Sequence, residues 1–502
     1  MTFPRTRTGA LALCTALVAT PTLADVTTAD VLANQQAYMG AMGITLVGAL
    51  DGDVLRAPKL TGVLPMGVGG FEITGPDVTM ISNGDGTVSI TYPSPAKIAF
   101  SGYIQDVGEA SATMTFTHDS YDITVSGNPG DVTYDTTVTN LGLGLDDWSA
   151  TDVDSGAIDV TMDVNMTEWV SRTRIVEGNL IQVTSDSTIG TNTVDVSILM
   201  DGINSTTKQT TLPSVNQMEL SLPTGGSNLM NLSQSLRDGL SVSLSNTADG
   251  NTSSTVTTMD GREVSSDESS TGAQSLSLSF DEAGLAMLAE AADFNMTMND
   301  PMLFPGGISF GVAAMTADWL IPVNTKTEAQ PFRAATSIEG LTVGDALWDM
   351  LDPAGELPRD PATIAFDLSG TGTLGMDLLD VMGLSMMAGP PPITVDQVTV
   401  DRLEVAAVGA RATAEGAMTL NWADMMTWGG MPAPDGNVTV NVEGANALMD
   451  KLVAMGLLAP EDIMGAQMMM GMFAEPVGPD ALRAEIEVTE GGSLFVNGQQ
   501  LQ

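Results

Sequence analysis

Residues 157–170 read AIDVTMDVNMTEWV, and the alternation in this stretch decides the fold. Ile158, Val160, Met162, Val164 and Met166 take every second position, with Asp159, Thr161, Asp163 and Asn165 between them. Successive side chains of a strand point to opposite faces, so this segment has one dry and one wet face. The same period of two runs outward in both directions, through ITLVGAL (44–50), GTVSITY (86–92), SATMTFTH (111–118) and NTVDVSILMDGI (192–203). Gly, Pro and Asn separate the runs, and SNGDGT (82–87) is a hairpin turn signal. The pattern predicts a mainly β fold: an extensive antiparallel sheet, curved or in two layers, with a few short helices, mostly in the C-terminal half.

The helices are expected at four places. TADVLANQQAYMGA (28–41) has Thr28 as a cap, and DEAGLAMLAEAA (281–292) has first-turn acids and helix-favouring residues. A strand-to-helix unit starting at Ile338 recurs at Val442, where Ala346, Leu347, Asp349 and Leu351 match Ala447, Leu448, Asp450 and Leu452. The second copy runs into GLLAPEDIMGAQMMMGMF (456–473). Gly456 is a helix stop and Pro460 with Glu461 and Asp462 a helix start, so 445–473 reads as a helix hairpin. Its second helix is apolar nearly all round and is expected to be buried on more than one side.

Residues 1–24 read as a signal peptide: Arg5 and Arg7, a short apolar run, then Thr22-Leu23-Ala24 before Asp25. Residues 25–240 form a β-rich region and 241–279 a Ser/Thr-rich polar hairpin or linker. Residues 280–502 form a β region with helices. No later segment is long and apolar enough for a transmembrane helix. Without residues 1–24 the chain carries 15 basic against 62 acidic residues and no cysteine, since Cys14 is the only one. That excludes thiolate chemistry and disulfides in the exported chain and argues against nucleic acid and anionic headgroups as partners.

Catalytic and metal sets are thin. His118 is the only histidine, and alternation is read as placing it on the wet, threonine-bearing face of its strand. A Ser–His–Asp triad or a zinc site would have to be built on that one residue. Asp152, Asp154 and Ser155 before Gly156 fall short of a calcium loop. Paired carboxylates for a hydrolase would need a cleft with aromatic platforms, and aromatics are few. Too few aromatics are present to girdle an outer-membrane barrel. No cofactor is expected.

Methionine is abundant, at 33 residues. The clusters Met382–Met386–Met387, Met425–Met426–Met431 and Met468–Met469–Met470–Met472 raise copper, but the methionines stand where leucine would serve and no histidine accompanies them. An adaptable apolar groove is the reading carried forward, lined by Met464, Met468, Met469 and Met472 with Leu448 and Leu452.

ELPRDPATIAFDLSGTGTLGMDLLD (356–380), MPAPDGNVTVNVEGANALMDKLVAMGLLAPEDIMGAQMMMGMF (431–473) and the terminal LFVNGQQL resemble an uncharacterised family of Gram-negative envelope proteins, the domain of unknown function numbered 2125. The repeated strand blocks look, in architecture, like AsmA-like envelope proteins associated with lipid handling. The resemblance implies an exported β protein and brings no catalytic residues. The expectation is a periplasmic, non-enzymatic protein binding lipid or another apolar ligand, with an envelope protein as the other possible partner. The alternatives are a structural or adhesive scaffold and, further off, a carboxylate-based hydrolase.

Overall fold

The computed structural model describes residues 25–501, apart from 64–68, 106–107, 152–157, 228–230, 303 and 387–392. The signal-peptide reading and the Asp152–Ser155 candidate therefore lie outside the described residues. All strands join one antiparallel sheet that runs as a long up-and-down meander. The alternation of residues 158–170 belongs to the strand Ile158–Glu177.

Up to Gly284–Asp300, most passes of the chain are broken near their middle, and the breaks line up into a crease that divides this part of the sheet into two leaves. The first leaf holds Val78–Ser82, Val88–Thr91, Ser120–Asn128, Leu180–Ile189, Ser214–Pro223, Ser241–Ala248 and Gln274–Asp281. The second holds Lys59–Val63, Gly69–Thr74, Ala96–Ile104, Gly108–Thr117, Asn192–Met200, Ile203–Thr211, Asn251–Met259 and Arg262–Thr271. Asp131–Ala150, Ile158–Glu177 and Gly284–Asp300 run through both leaves and stitch them together. Residues 241–281 form a long polar hairpin, with each arm interrupted at the crease.

The crease changes the parity of burial. Along Ile158–Glu177 the side chains of Met162, Val164 and Met166 are half-buried, Thr167 and Glu168 are both exposed, and burial resumes at Trp169, Ser171, Thr173 and Ile175. On the neighbouring strand Thr139 and Asn140 are the two exposed in succession, and Asn140 takes a left-handed φ of 51°. Strict alternation would send the apolar residues of the two leaves to opposite sides. Skipping one residue at the crease puts both sets on the same, inner side. The outer side carries the ion pairs, such as Arg174 with Asp131 and Arg333 with Asp367.

Beyond Gly284–Asp300 the meander continues through Phe304–Ile321, Gln330–Val343, Ala362–Leu374, Ile393–Ala407, Ala410–Asn421, Ala433–Glu443 and Ala481–Val488. The segment 281–292, expected as a helix, ends one strand at Asp281, turns at 282–283 and begins the strand Gly284–Asp300. That strand is paired on one side with Gln274–Asp281 and on the other with Phe304–Ile321. Two full ladders of backbone hydrogen bonds override its helix propensity.

The helices are α1 (Thr28–Ala41), α2 (Leu232–Arg237), α3 (Asp345–Leu351), α4 (Val381–Ser385), α5 (Ala445–Ala454) and α6 (Pro460–Phe473). The strand-to-helix repeat is real in placement: α3 follows Gln330–Val343 and α5 follows Ala433–Glu443. Gly444 offers no side-chain cap to α5. Asp480 supplies it instead, accepting from the backbone N–H groups of Asn446 and Ala447 at 3.1 Å each.

The densest core lies between α1, α2 and the first leaf. Val31 and Ala41 of α1 and Leu236 of α2 pack with Val88, Val125, Val132, Ile175, Val183 and Leu222. Elsewhere the inner face is thinly covered, and Ile364, Leu403 and Val405 are exposed.

Candidate functional site: an apolar cleft at the crease

The site starts with the placement of α1. Its cap is Thr27, one residue before the expected Thr28: Thr27 Oγ1 accepts from the Asp30 N–H while the Asp30 carboxylate accepts from the Thr27 N–H. Asn34, 1% exposed, then ties the helix to the sheet. Its amide donates to Glu177 Oε1 at 2.7 Å, and its oxygen accepts from the Tyr134 hydroxyl at 3.0 Å. A buried polar side chain with both ends satisfied fixes register where apolar contacts alone would let a helix slide.

Beneath α1 the leaves do not close. A cavity of about 440 Å³ is lined by Tyr38 and Met39 of α1. Leu60, Ile73 and Ile98 line it from the second leaf, Met80, Ile123 and Tyr134 from the first, and Trp169 from the crease. Lining from both leaves shows that their inner faces look at each other here. An aromatic cluster edges it: Tyr121 lies 4.9 Å from Tyr92, 5.8 Å from Phe116 and 6.3 Å from Trp169, centroid to centroid, the last pair edge to face. Burial pushes the phenols of Tyr38, Tyr92, Tyr121 and Tyr134 upward, so they remain neutral hydrogen-bonding groups.

His118 belongs to this cluster, not to the wet face. Its ring sits 5.4 Å from Phe116 and 5.6 Å from Tyr121, and Nε2 lies 3.1 Å from the Tyr92 carbonyl oxygen. The expectation is corrected by the alternation itself. Counted from Phe116, residue 118 falls on the apolar side.

A second cavity, of about 550 Å³, lies farther along the sheet, between Ser241–Ala248 and Gln330–Val343. Ala289, Ala291 and Ala317 leave the space, and Leu276, Met315 and Ile338 edge it. These six residues continue the inner face by register.

The sequence-selected residues lie elsewhere. Met464, Met468, Met469 and Met472 are 63–68% exposed on α6. The helix buries only Ile463, Ala466 and Met470 partway, so the expectation of burial on several sides fails. It packs on α5, to which Gln467 is bonded through Asn446, and among the described residues its methionine face is left exposed. Leu448 and Leu452 are half-buried on α5 and line neither cavity. Met386, Met426 and Met431 are exposed; Met387 lies outside the described residues. Among the described residues no three His, Cys, Asp or Glu side chains converge as a metal-binding group. Nor is any described helix long and apolar enough to cross a membrane.

Fold and cleft together define a class: an all-β protein whose creased sheet presents an apolar inner face. Residues 234–497, more than half of the chain, match the family described as uncharacterized protein conserved in bacteria (DUF2125), and the chain belongs to that family. No curated protein and no solved structure matches it. The aromatic cleft under α1 lies largely N-terminal to the matched region. Residue type did not single it out. The available signal was the double exposed step, Thr139–Asn140 opposite Thr167–Glu168, which keeps both leaves apolar on one side.

Proposed function

We propose that this is an exported, non-enzymatic envelope protein that holds an acyl-chain-bearing ligand between its leaves, under α1. The observation that carries the reading is the cleft lined from two leaves and a helix by Leu, Ile, Met, Tyr and Trp side chains. Apolar concavities with a few neutral polar groups are how proteins take up apolar ligands. The 62 acids of the sequence would keep such a carrier soluble and off anionic surfaces. The periplasm is the proposed compartment, with the chain beginning at Asp25 after cleavage.

The test is extraction of the protein, purified without detergent from its native envelope, followed by mass spectrometry of the extract. A lipid in near-stoichiometric amount, reduced in Trp169→Ala and Tyr121→Ala, is expected. A clean extract from the parent protein overturns the reading. Cell fractionation and N-terminal sequencing test the compartment and Asp25.

A further inference from the structure

Two ladders of inner-face side chains join the cavities. Across successive strand pairs Ser171 stands opposite Ser187, Ser187 opposite Asn216, Asn216 opposite Asn246 and Asn246 opposite Leu276. Ser171 lines the first cavity, and Asn246 and Leu276 line the second. One step nearer the crease, Trp169, Ile189, Ser214, Ala248 and Gln274 make the same connection. Neighbouring strands lie about 4.8 Å apart, so the polar step from Ser171 to Asn246 spans about 14 Å. The inner face is therefore apolar, then hydrogen-bonding, then apolar again.

The polar step has unused capacity. Asn246 Nδ2 donates to Asn216 Oδ1 at 2.6 Å, while Asn216 Nδ2 is buried with no partner, as is Asn192 Oδ1 where the second leaf meets the crease. A buried amide left unpaired is costly unless a ligand or water satisfies it. Charge is absent from the same path. No Lys or Arg lines either cavity or stands on either ladder, and Glu290, between Ala289 and Ala291, turns to the other face and accepts from Ser275. Arg172, Arg174 and Arg333 of the adjoining strands turn outward to Asp135, Asp131 and Asp367.

We infer that the groove selects an uncharged acyl ester or amide, a neutral lipid whose carbonyls lie on the Asn216–Asn246 step with apolar chains toward the two cavities. This rests on the ligand-holding reading above. Neutral amides satisfy carbonyl and hydroxyl groups, whereas a phosphate monoester would meet no cation on this face.

The experiment measures binding of three probes to the full chain from dilute detergent: dioleoylglycerol, dioleoyl phosphatidic acid and the hydrocarbon squalane. Dioleoylglycerol is expected to bind at least about tenfold more tightly than phosphatidic acid, the worth of one charge left unpaired. Asn216→Leu is expected to weaken dioleoylglycerol about fivefold, the scale of one hydrogen bond, and to leave squalane unchanged. Asn246→Leu provides the same comparison if circular dichroism shows Asn216→Leu misfolded. Phosphatidic acid binding as tightly as dioleoylglycerol, or folded variants with unchanged preference, overturns the neutral-lipid inference while squalane binding leaves the cleft reading standing. Failure of all three probes to bind overturns the cleft reading itself.

Discussion

Two helical regions of the chain, α1 and α6, end in opposite environments. α1 is modest in composition, yet Val31 and Ala41 are buried and Tyr38 and Met39 roof a cavity. α6 is richer in methionine than any other helix, yet its Met464, Met468, Met469 and Met472 face solvent. The difference is what lies beneath. α1 docks on a leaf whose inner residues are already aligned by register, and Asn34 pins it there. α6 leaves the sheet between Ala433–Glu443 and Glu475–Gly478 and packs on α5, with Asn497 donating to the carbonyl of its last residue, Phe473. Apolar composition sets how much burial a segment would gain, and topology sets whether a partner surface exists.

The comparison is most exposed to a charge placed under α1. Val31→Asp should destabilise the protein by about 4 kcal/mol, since an unpaired carboxylate would enter a dry core. Urea midpoints measure it; a shift as small as that of a surface mutant would show that α1 is not held as described. Asn34→Ala should cost about 1–3 kcal/mol by leaving Tyr134 and Glu177 without a shared partner. It should also loosen α1 enough for limited proteolysis within residues 28–41 to detect.

The brace beside α2 is a smaller, pH-dependent term. Burial opposes the Asp377 charge, but hydrogen bonds from Arg237 and Thr325 outweigh it and hold its pKa below the usual carboxylate range. A depressed folded-state pKa stabilises at pH above the ordinary carboxylate value, and that contribution is lost as pH falls through the folded value. Asp377→Asn should therefore lower stability by about 1 kcal/mol at neutral pH, and its melting temperature should approach the parent's as the solution is acidified toward pH 3. A gap that stays constant with pH would show that the carboxylate charge is not what the brace uses. Smallest of all, Met464→Gln, Met468→Gln, Met469→Gln and Met472→Gln should each shift stability by less than about 0.5 kcal/mol. A loss of 2 kcal/mol at any of them would reveal a partner surface on α6.

Reading the sequence gave the β class, α1, the turn at 82–87 and the paired helices α5 and α6. It failed at 281–292, where Ala, Leu, Met and Glu favour a helix in isolation but two neighbouring strands already offer complete hydrogen-bond ladders. It failed at His118 through a miscounted parity. It failed on the burial of α6, whose methionines stand exposed. The residues of the cleft (Leu60, Ile73, Ile98, Ile123 and Trp169) are single alternating positions spread over more than a hundred residues, and nothing local marks them as neighbours.

By itself the sequence determined the strand character of the clearly alternating segments, because period-two alternation is a property of consecutive residues and needs no partner. It also determined the acidity, since 62 acids against 17 bases is a matter of composition. Only the tertiary structure decided which apolar sets share a side. That depends on a one-residue skip repeated in register across the crease, on Asn34 fixing α1 over the first leaf, and on where the meander leaves a helix without a surface to cover. Each is a relation between residues distant in the chain, and burial is fixed by such relations rather than by residue type.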